Sequence, residues 1–389
     1  MSGGMVEIYF LGQQDEYLTY AISGQEPEVK YFNPLGMYEQ SSRHACEEHE
    51  ETLIGAPTSG SQYVKISRIG DLVRGITLEF VSNQDLSGVY GTGKSVYDFI
   101  DNIKVEIGSQ TIDTHTGDWM KICDELHTPE SLKGALNYMT EGVDGTTTPQ
   151  RLRLPLKFWF CKEDGYALPL CALQLHEVRI TIKYTAAYTG LASIPVARCF
   201  VDHVFLNDEE RLWFMNTPQT YIIEQVQRHT SDVTGTHVRE ALTFNHPVKE
   251  LLWTVEDQSS GLANANGQIT TNLTKAKIIV NGQDRMTERD ADYFRYVQRY
   301  QFHTCSASDA ELAGGTNNIA NNRRPGIYMF SFCLEPEQAH PSGTINMSRL
   351  NTTTLDLFGS SALGKLNVYA VNYNILKIAG GVGGIGYSS

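Results

Sequence analysis

The sequence predicts a mostly β protein made of two similar antiparallel β-sandwiches in tandem. Three observations support this fold class. Apolar and polar side chains alternate with a period of two, turn-rich segments separate the alternating runs, and short motifs recur in the same order in the second half. The chain has 389 residues, more than one hydrophobic core usually organises. Two domains are therefore expected.

The clearest alternation lies in residues 152–184, which are rich in apolar residues but interrupted by charges. Its first part places four apolar side chains on one face of a strand: Leu152, Leu154, Leu156 and Phe158. A second strand spans 178–184. Leu173 and Leu175 fall on the opposite parity from Val178, which predicts a bulge or a short helical turn near 174–177. The stretch is therefore expected to be sheet and not a membrane span.

Helical signals are few. Residues 207–214 begin with an asparagine at the N-cap position and continue with an acidic first turn, a pattern typical of a helix start. Residues 287–297 are a second candidate for a short helix. Segments rich in Gly, Asn, Ser and Asp occupy most of the remaining connections, which favours antiparallel sheets.

An internal repeat supports the two-domain prediction. Residues 71–80 match 246–255, residues 105–110 match 278–283, and residues 158–161 match 330–333, at offsets of 175, 173 and 172. The last strands, 178–184 and 368–374, continue the order at a larger offset, which predicts a longer loop in the second half. The repeat alone indicates duplicated sandwiches without selecting one type of sandwich.

The composition restricts the function. The net charge of −14 and a pI near 5.2 argue against direct nucleic-acid binding, which depends on Lys and Arg at phosphates. Seven cysteines, an odd number without any CxxC pair, favour reduced thiols and cytoplasmic folding. The N-terminal residues do not have the pattern of a signal peptide, and no apolar run is long enough to predict a transmembrane helix.

The order of several longer segments resembles the major capsid proteins of nucleocytoplasmic large DNA viruses. The matching segments are 12–19, 66–73, 105–113, 154–178, 205–214, 221–227, 244–253, 341–350 and 369–387. This resemblance implies a double jelly roll, that is, two tandem eight-stranded jelly-roll sandwiches with few short helices. It also implies three parts of the chain: an N-terminal arm at 1–24, a first jelly roll at 25–212, and a second at 213–389 with a Gly-rich tail.

The same resemblance implies the function. The chain is expected to be a structural capsid protein that forms homotrimers, the pseudo-hexagonal capsomers of an icosahedral shell, without catalysis, cofactor or metal. Its implied partners are neighbouring capsomers, minor capsid and penton proteins, and an internal membrane beneath the shell, but not nucleic acid. Its implied location is the virion, with assembly in the host cytoplasm.

Two groups of residues suggest other chemistry. Residues 88–95, with Lys94, match the phosphate-loop pattern GxxxxGK[ST], but polar residues separate them from the preceding strand and a strand soon follows. His44, Cys46 and His49 have zinc-ligating side chains but lack a fourth ligand, which favours a solvated acidic loop. His115 lies near Asp113 and Asp118, a proximity that is common in loops.

Polar residues in the segment 341–350 have a structural interpretation. Asn272, Asn346 and Asn351 satisfy N-x-[ST], but without a secretory signal the last two are expected to be structural. Three residues predict turn chemistry before a strand: Ser342, Gly343 and Thr344. Arg349 is expected to tie that strand to a carbonyl or a carboxylate.

The Gly-rich tail at 380–389 is too short to span a membrane. It is expected to pack closely on the second domain, because glycine permits close backbone approach.

Two other classes of function remain open from the residues alone. One is an enzyme, either a nucleotide hydrolase that uses residues 88–95 or a metal-dependent jelly-roll oxygenase. The other is a glycan-binding sandwich. A shell subunit is favoured because the sequence has no HxH pair and no GxSxG nucleophile motif.

Overall fold

A computed structural model describes residues 2–9, 43–82, 95–141, 150–189, 195–257, 273–304 and 326–387. The described part of the first half contains nine strands: β1 His44–Glu51, β2 Ser61–Lys65, β3 Leu72–Ser82, β4 Ile100–Ile107, β5 Gln110–Thr116, β6 Gln150–Pro155, β7 Leu168–Pro169, β8 Val178–Tyr184 and β9 Val196–Leu206. They form two antiparallel sheets, in the order β1-β9-β3-β6 and in the order β2-β8-β4-β5, and the short β7 adds to β3. Two four-stranded sheets with these crossovers are a jelly roll.

The second half repeats this arrangement with longer strands. They are β10 Gln219–Leu242, β11 Pro247–Asp257, β12 Leu273–Val280, β13 Gln283–Asp284, β14 Arg289–Asp290, β15 Ile327–Ser331, β16 Ile345–Asn346, β17 Thr353–Ala379 and β18 Val382–Ile385. Strands β10 and β17 pair along their whole length, with register shifts around Gly235. Each serves as two strands, one in each sheet, which gives the orders β10-β17-β11-β15 and β10-β17-β12-β13. The double jelly roll implied by the resemblance is confirmed.

The internal repeat is visible in the pairings and turns. β3 and β11 occupy the same place in their sheets, each between the strand that ends its jelly roll and a short neighbour. The two hairpins β4–β5 and β12–β13 turn through Gly108-Ser109 and Asn281-Gly282. All four of these residues have positive φ, from 51° to 76°, the conformation that a two-residue type I′ turn requires.

One predicted match is wrong. Strand β8 pairs with β4, and its counterpart in the second half is the first part of β17, which pairs with β12 through Ile278 and Leu355. Residues 368–374 instead pair with β11, as β9 pairs with β3. Ile180 therefore corresponds to Leu355, at an offset close to those of the other motifs. The longer loop predicted for the second half is not required.

The helices are short. They are α1 Gly3–Tyr9, α2 Gly117–His127, α3 Glu130–Glu141, α4 Ala186–Thr189, α5 Asp208–Asn216 and α6 Gln298–Phe302. The helix predicted at 207–214 is confirmed as α5, with Asn207 Oδ1 accepting from the N–H of Asp208. The helix predicted at 287–297 begins later, since residues 293–297 form a π-helical turn that leads into α6. Helices α2 and α3 were not predicted, although Thr116 caps the N–H of Trp119.

The predicted alternation fixes the first core. Leu152, Leu154, Leu156 and Phe158 are buried. So are the alternate residues of β8 from Val178 to Tyr184. Between these strands lie two 3-10 turns, Trp159–Cys161 and Asp164–Tyr166. At 170–176 the chain reverses through turns and bends, without the predicted helical turn. Among the described residues, no helix is long and apolar enough to cross a membrane. The six cysteines among the described residues are free thiols, and Cys305 lies outside the described residues.

Candidate functional site between the two jelly rolls

Most of the phosphate-loop pattern, 88–94, lies outside the described residues. Ser95 precedes a 3-10 turn at Val96–Phe99, and its N–H donates to Asp98 Oδ2 (3.0 Å). Strand β4 follows at once, whereas a phosphate loop opens an α-helix. The described flank therefore has the strand that the sequence predicted and lacks the helix that phosphate binding uses.

The three zinc-type side chains near residue 46 lie on a strand, so the predicted acidic loop is wrong. On β1, His44 and Cys46 are exposed on one face, while His49 points to the other face and is half-buried. His49 Nε2 lies 3.2 Å from Glu47 Oε1, and its ring contacts that of His203 edge-on. A strand sends alternate side chains to opposite faces, so the three residues do not converge on one ion.

His115 has a structural contact. It lies on β5 and not in a loop, and its Nε2 is 2.8 Å from Asp113 Oδ2, with both side chains buried. Its ring stacks on Phe158 with centroids 4.3 Å apart. Asp113 Oδ1 also accepts from the N–H of Val226 on β10 (3.1 Å). The pair therefore joins the first jelly roll to the second, and Asp118 is in the first turn of α2.

The segment 341–350 shows the expected turn chemistry. Ser342 Oγ accepts from the N–H of Glu335 (2.9 Å), and Asn346 Oδ1 accepts from the N–H of Ser348 (3.1 Å). The N–H of Asn351 donates to Asn281 Oδ1 (2.8 Å), while Asn272 lies outside the described residues. Arg349 differs from the prediction: its side chain is exposed and makes no hydrogen bond or ion pair with the described residues.

We expect Arg349→Ala to leave the free energy of unfolding unchanged within about 0.5 kcal/mol, as for an exposed side chain without partners. Denaturant titration of both proteins would measure the difference. A loss of about 2 kcal/mol or more would restore the structural role that the sequence suggested.

The Gly-rich tail packs on the second jelly roll, as predicted, because β18 pairs with the end of β17. It also packs on the first jelly roll, which the sequence did not predict. Gly380 and Gly381 turn the chain so that β18 pairs with the end of β17. The N–H of Leu175 donates to Gly381 O (2.9 Å), and His176 Nδ1 lies 3.0 Å from Gly383 O. A Cβ on Gly383 would lie 2.8 Å from Leu173 Cδ2, so the close approach that glycine permits is to the first domain.

Helix α2 forms the centre of the interface between the jelly rolls. One apolar cluster contains its side chains and those of β11, β15 and β17: Trp119, Ile122, Cys123, Leu126, Leu252, Ile327, Met329, Tyr369 and Val371. The opposite face of the same strands lies in the second core, with Trp253 and Val368. This sheet of the second jelly roll is therefore covered on both faces, which explains its long apolar runs.

A buried ion network lies beside that cluster. Glu224 on β10 accepts from Lys162 of the first jelly roll and from Lys249 on β11. Lys249 Nζ also donates to Pro336 O (2.6 Å). Burial alone would raise the pKa of Glu224, but the two ammonium groups hold it below its ordinary value. Burial and repulsion by Lys162 lower the pKa of Lys249.

Two histidines and two glutamates extend the network. His303 is buried, with Nε2 3.1 Å from Glu250 Oε2 and Nδ1 3.1 Å from Glu337 Oε1. The ring centroid of His127, on α2, lies 5.1 Å from the ring centroid of His303. Burial lowers the pKa of His127, whereas the two carboxylates outweigh burial and raise the pKa of His303. The sequence interpretation missed these residues because they are distant in the chain and form no motif.

Comparison with known proteins places this architecture. Residues 36–207 match the family model for the N-terminus of the major capsid protein, and residues 210–384 match the model for the large eukaryotic DNA virus major capsid protein. The major capsid protein of Pyramimonas orientalis virus is 34% identical, and that of Paramecium bursaria Chlorella virus 1 is 30% identical, each over the full length of both chains.

Solved structures agree. The crystal structure of VP54 from Paramecium bursaria Chlorella virus 1, 29% identical, superposes with a TM-score of 0.76 over 90% of this chain and 98% of that one. The Faustovirus major capsid protein, 12% identical, has a TM-score of 0.66 over 91% of this chain and 93% of that one, which supports the fold alone.

The double jelly roll and these matches define a structural protein of a viral shell. The chain belongs to the family of major capsid proteins of large eukaryotic DNA viruses. Its place is the virion capsid, and its role there is structural and not enzymatic.

Proposed function

We propose that three copies of this chain form a closed trimer, the capsomer, and that these capsomers tile an icosahedral shell. The observation that carries the proposal is the duplication of the jelly roll within one chain, with both copies fixed to each other through α2. Three such chains around a three-fold axis place six similar lobes in a ring. A near-hexagonal rim follows, and hexagonal outlines fill a flat facet.

The surface offers apolar side chains that such an interface would cover. Leu212 and Trp213 on α5 are 56% and 52% exposed. The helix is held firmly, because Arg211 donates from Nε to Asp71 Oδ1 (2.7 Å) and from Nη2 to Asp71 Oδ2 (3.0 Å). A large aromatic side chain on a rigid helix is the type of residue that contributes most to a protein interface. We place α5 in the contact with a second copy of this chain.

Trp213→Asp is expected to convert the trimer into monomers at low micromolar concentration, because burial of an unpaired carboxylate opposes association. Size-exclusion chromatography with light scattering should give about 130 kDa for the parent, three times the chain mass of 43.4 kDa. Trp213→Phe, the matched control, should keep the trimer. A monomeric parent would contradict the trimer, whereas a trimeric Trp213→Asp protein would contradict only the placement of α5.

The remaining partners follow from the shell. Neighbouring capsomers would meet at the rim, minor capsid and penton proteins would close edges and vertices, and an internal membrane would lie beneath, with assembly in the host cytoplasm.

The proposed division of the chain stays at an N-terminal arm, 1–24, a first jelly roll, 25–212, and a second jelly roll, 213–389. In its support, β9 ends at Leu206 and β10 begins at Gln219, with α5 between them.

A further inference from the structure

We propose that His127, His303 and Glu337 form a site for one divalent metal ion, preferentially Zn²⁺, that bridges the two jelly rolls. Each residue offers one ligand atom, and the three atoms lie within 4.8 Å of one another. Among the described residues, this is the group that could hold an ion in this way. His127 comes from the last turn of α2, whereas His303 and Glu337 come from the second jelly roll.

The hydrogen bonds of His127 leave the lone pair of Nε2 available to bind a metal ion. Nδ1 lies 2.9 Å from the carbonyl oxygen of Cys123. A carbonyl oxygen can only accept, so Nδ1 carries the proton and Nε2 keeps its lone pair. Metal-binding histidines commonly donate their other ring N–H to a backbone carbonyl in this manner. The thiol of Cys123 lies 3.1 Å from Nδ1 and is therefore on the side of the ring away from the proposed ion.

His303 has the equivalent arrangement with a carboxylate. Its Nε2 lies 3.1 Å from Glu250 Oε2, and Glu250 is buried. A carboxylate that receives Nε2–H fixes the ring and increases the basicity of Nδ1. Nδ1 faces Glu337 Oε1 at 3.1 Å, so the imidazole nitrogen and the carboxylate could share an ion at this point.

Thr304 holds both oxygens of Glu337. Its N–H donates to Oε1 (2.8 Å), the oxygen that also faces His303, and its hydroxyl donates to Oε2. Its side chain and that of His127 are half-buried, whereas His303 is fully buried, so an ion could enter from one side. Two carboxylates, Glu250 and Glu337, contact a single imidazole, so negative charge lies on both sides of the ring beside the proposed ion.

The donor set favours zinc. Two imidazole nitrogens and one carboxylate oxygen are typical of Zn²⁺, with a solvent molecule as the fourth ligand. Tetrahedral ligand distances of about 2.0–2.2 Å place donor atoms about 3.3–3.6 Å apart. The ligand atoms here lie within 4.8 Å of one another, so the widest-spaced pair would need to approach by up to about 1.5 Å. The alternative is a metal-free imidazolium of His303 held between two carboxylates. The two states differ in whether Nδ1 of His303 binds a proton or an ion.

Metal titration of the assembled protein separates these alternatives. The protein would be treated with a chelator, dialysed and titrated with Zn²⁺, with bound metal measured by mass spectrometry of the digested sample. Co²⁺ in place of Zn²⁺ would show whether visible absorption bands of a tetrahedral site appear. The expected results are one ion per chain, tetrahedral Co²⁺ bands and a higher melting temperature with Zn²⁺ than with chelator.

His127→Gln is expected to weaken Zn²⁺ binding at least about tenfold and to abolish the Zn²⁺-dependent rise in melting temperature. His237→Gln is the matched control, because His237 also contacts a carboxylate, Asp356, at a distance of 2.6 Å but lies on the exposed surface. It should bind like the parent. A parent that binds no stoichiometric Zn²⁺ would overturn the proposal whether or not the variants fold, and so would unchanged binding by a folded His127→Gln protein.

Discussion

Replacing Glu224 with glutamine is expected to lower the free energy of unfolding by about 3–5 kcal/mol, the usual cost of removing one partner from a buried ion pair. The carboxylate receives both Lys162 and Lys249, and Lys249 is only 1% exposed. Without Glu224, Lys249 would either keep its charge at a cost in free energy or lose its proton, because the carbonyl oxygen of Pro336 does not neutralise an ammonium group. Denaturant unfolding, followed by tryptophan fluorescence, would measure the loss.

Glu288→Gln is the matched control. Glu288 Oε1 lies 2.8 Å from Lys275 Nζ, but both side chains are largely exposed. Its loss should leave the free energy of unfolding nearly unchanged, because water screens the pair. Equal effects of the two substitutions would show that the Glu224 network is not buried in solution. A triple variant that replaces Lys162, Glu224 and Lys249 with apolar residues should recover much of the stability lost in Glu224→Gln.

Deletion of residues 380–389 is expected to lower the free energy of unfolding by about 3 kcal/mol or more. Strand β18 would be lost, and Leu173, Ile107 and Ile378, which surround Gly383, would be uncovered. The estimate corresponds to the exposure of somewhat more than 100 Å² of apolar surface. Thermal unfolding of the truncated chain should also show weaker coupling between the jelly rolls, because the tail contacts the first one.

Point substitutions test the same contact without a deletion. Gly383→Val should destabilise the protein by about 1–3 kcal/mol, because the new side chain overlaps Leu173 in a packed core. Gly384→Ala is the control: its Cβ would meet only the end of the Gln110 side chain, at 3.2 Å, which can move. A truncated chain as stable as the parent would refute the role of the tail.

Sequence patterns predicted those parts of the fold in which local chemistry determines the outcome. The alternation in 152–158 and 178–184 identified buried faces, because a strand with one buried face must alternate. The N-cap at Asn207 located α5 because the capping hydrogen bond, from the N–H of Asp208, is also local in the chain. Helix α2 carries equally local signals in Thr116 and Asp118, but it stands inside a β-rich stretch and its apolar face is completed only by the second jelly roll.

Errors arose where distant partners decide the outcome. Strands 178–184 and 368–374 each come after the other repeated motifs of their half, and only their pairing with β4 and β11 distinguishes their places in the sheets. The tail contains glycines that permit close approach, but nothing local states that it approaches the first jelly roll as well as the second. His127, His303 and Glu337 come together through the packing of α2 on the second sheet, which no spacing in the sequence records.

The position of α2 has a consequence during synthesis. Its apolar face, with Trp119 and Leu126, needs Leu252, Tyr369 and Val371 as partners. At about 5–20 residues per second, a ribosome needs roughly 12–50 seconds to reach the last of these after it has made the helix. Throughout that interval the apolar face of α2 on the nascent first jelly roll is exposed to solvent. Chaperones that bind apolar segments would therefore have this helix as a target until the C-terminal strand emerges.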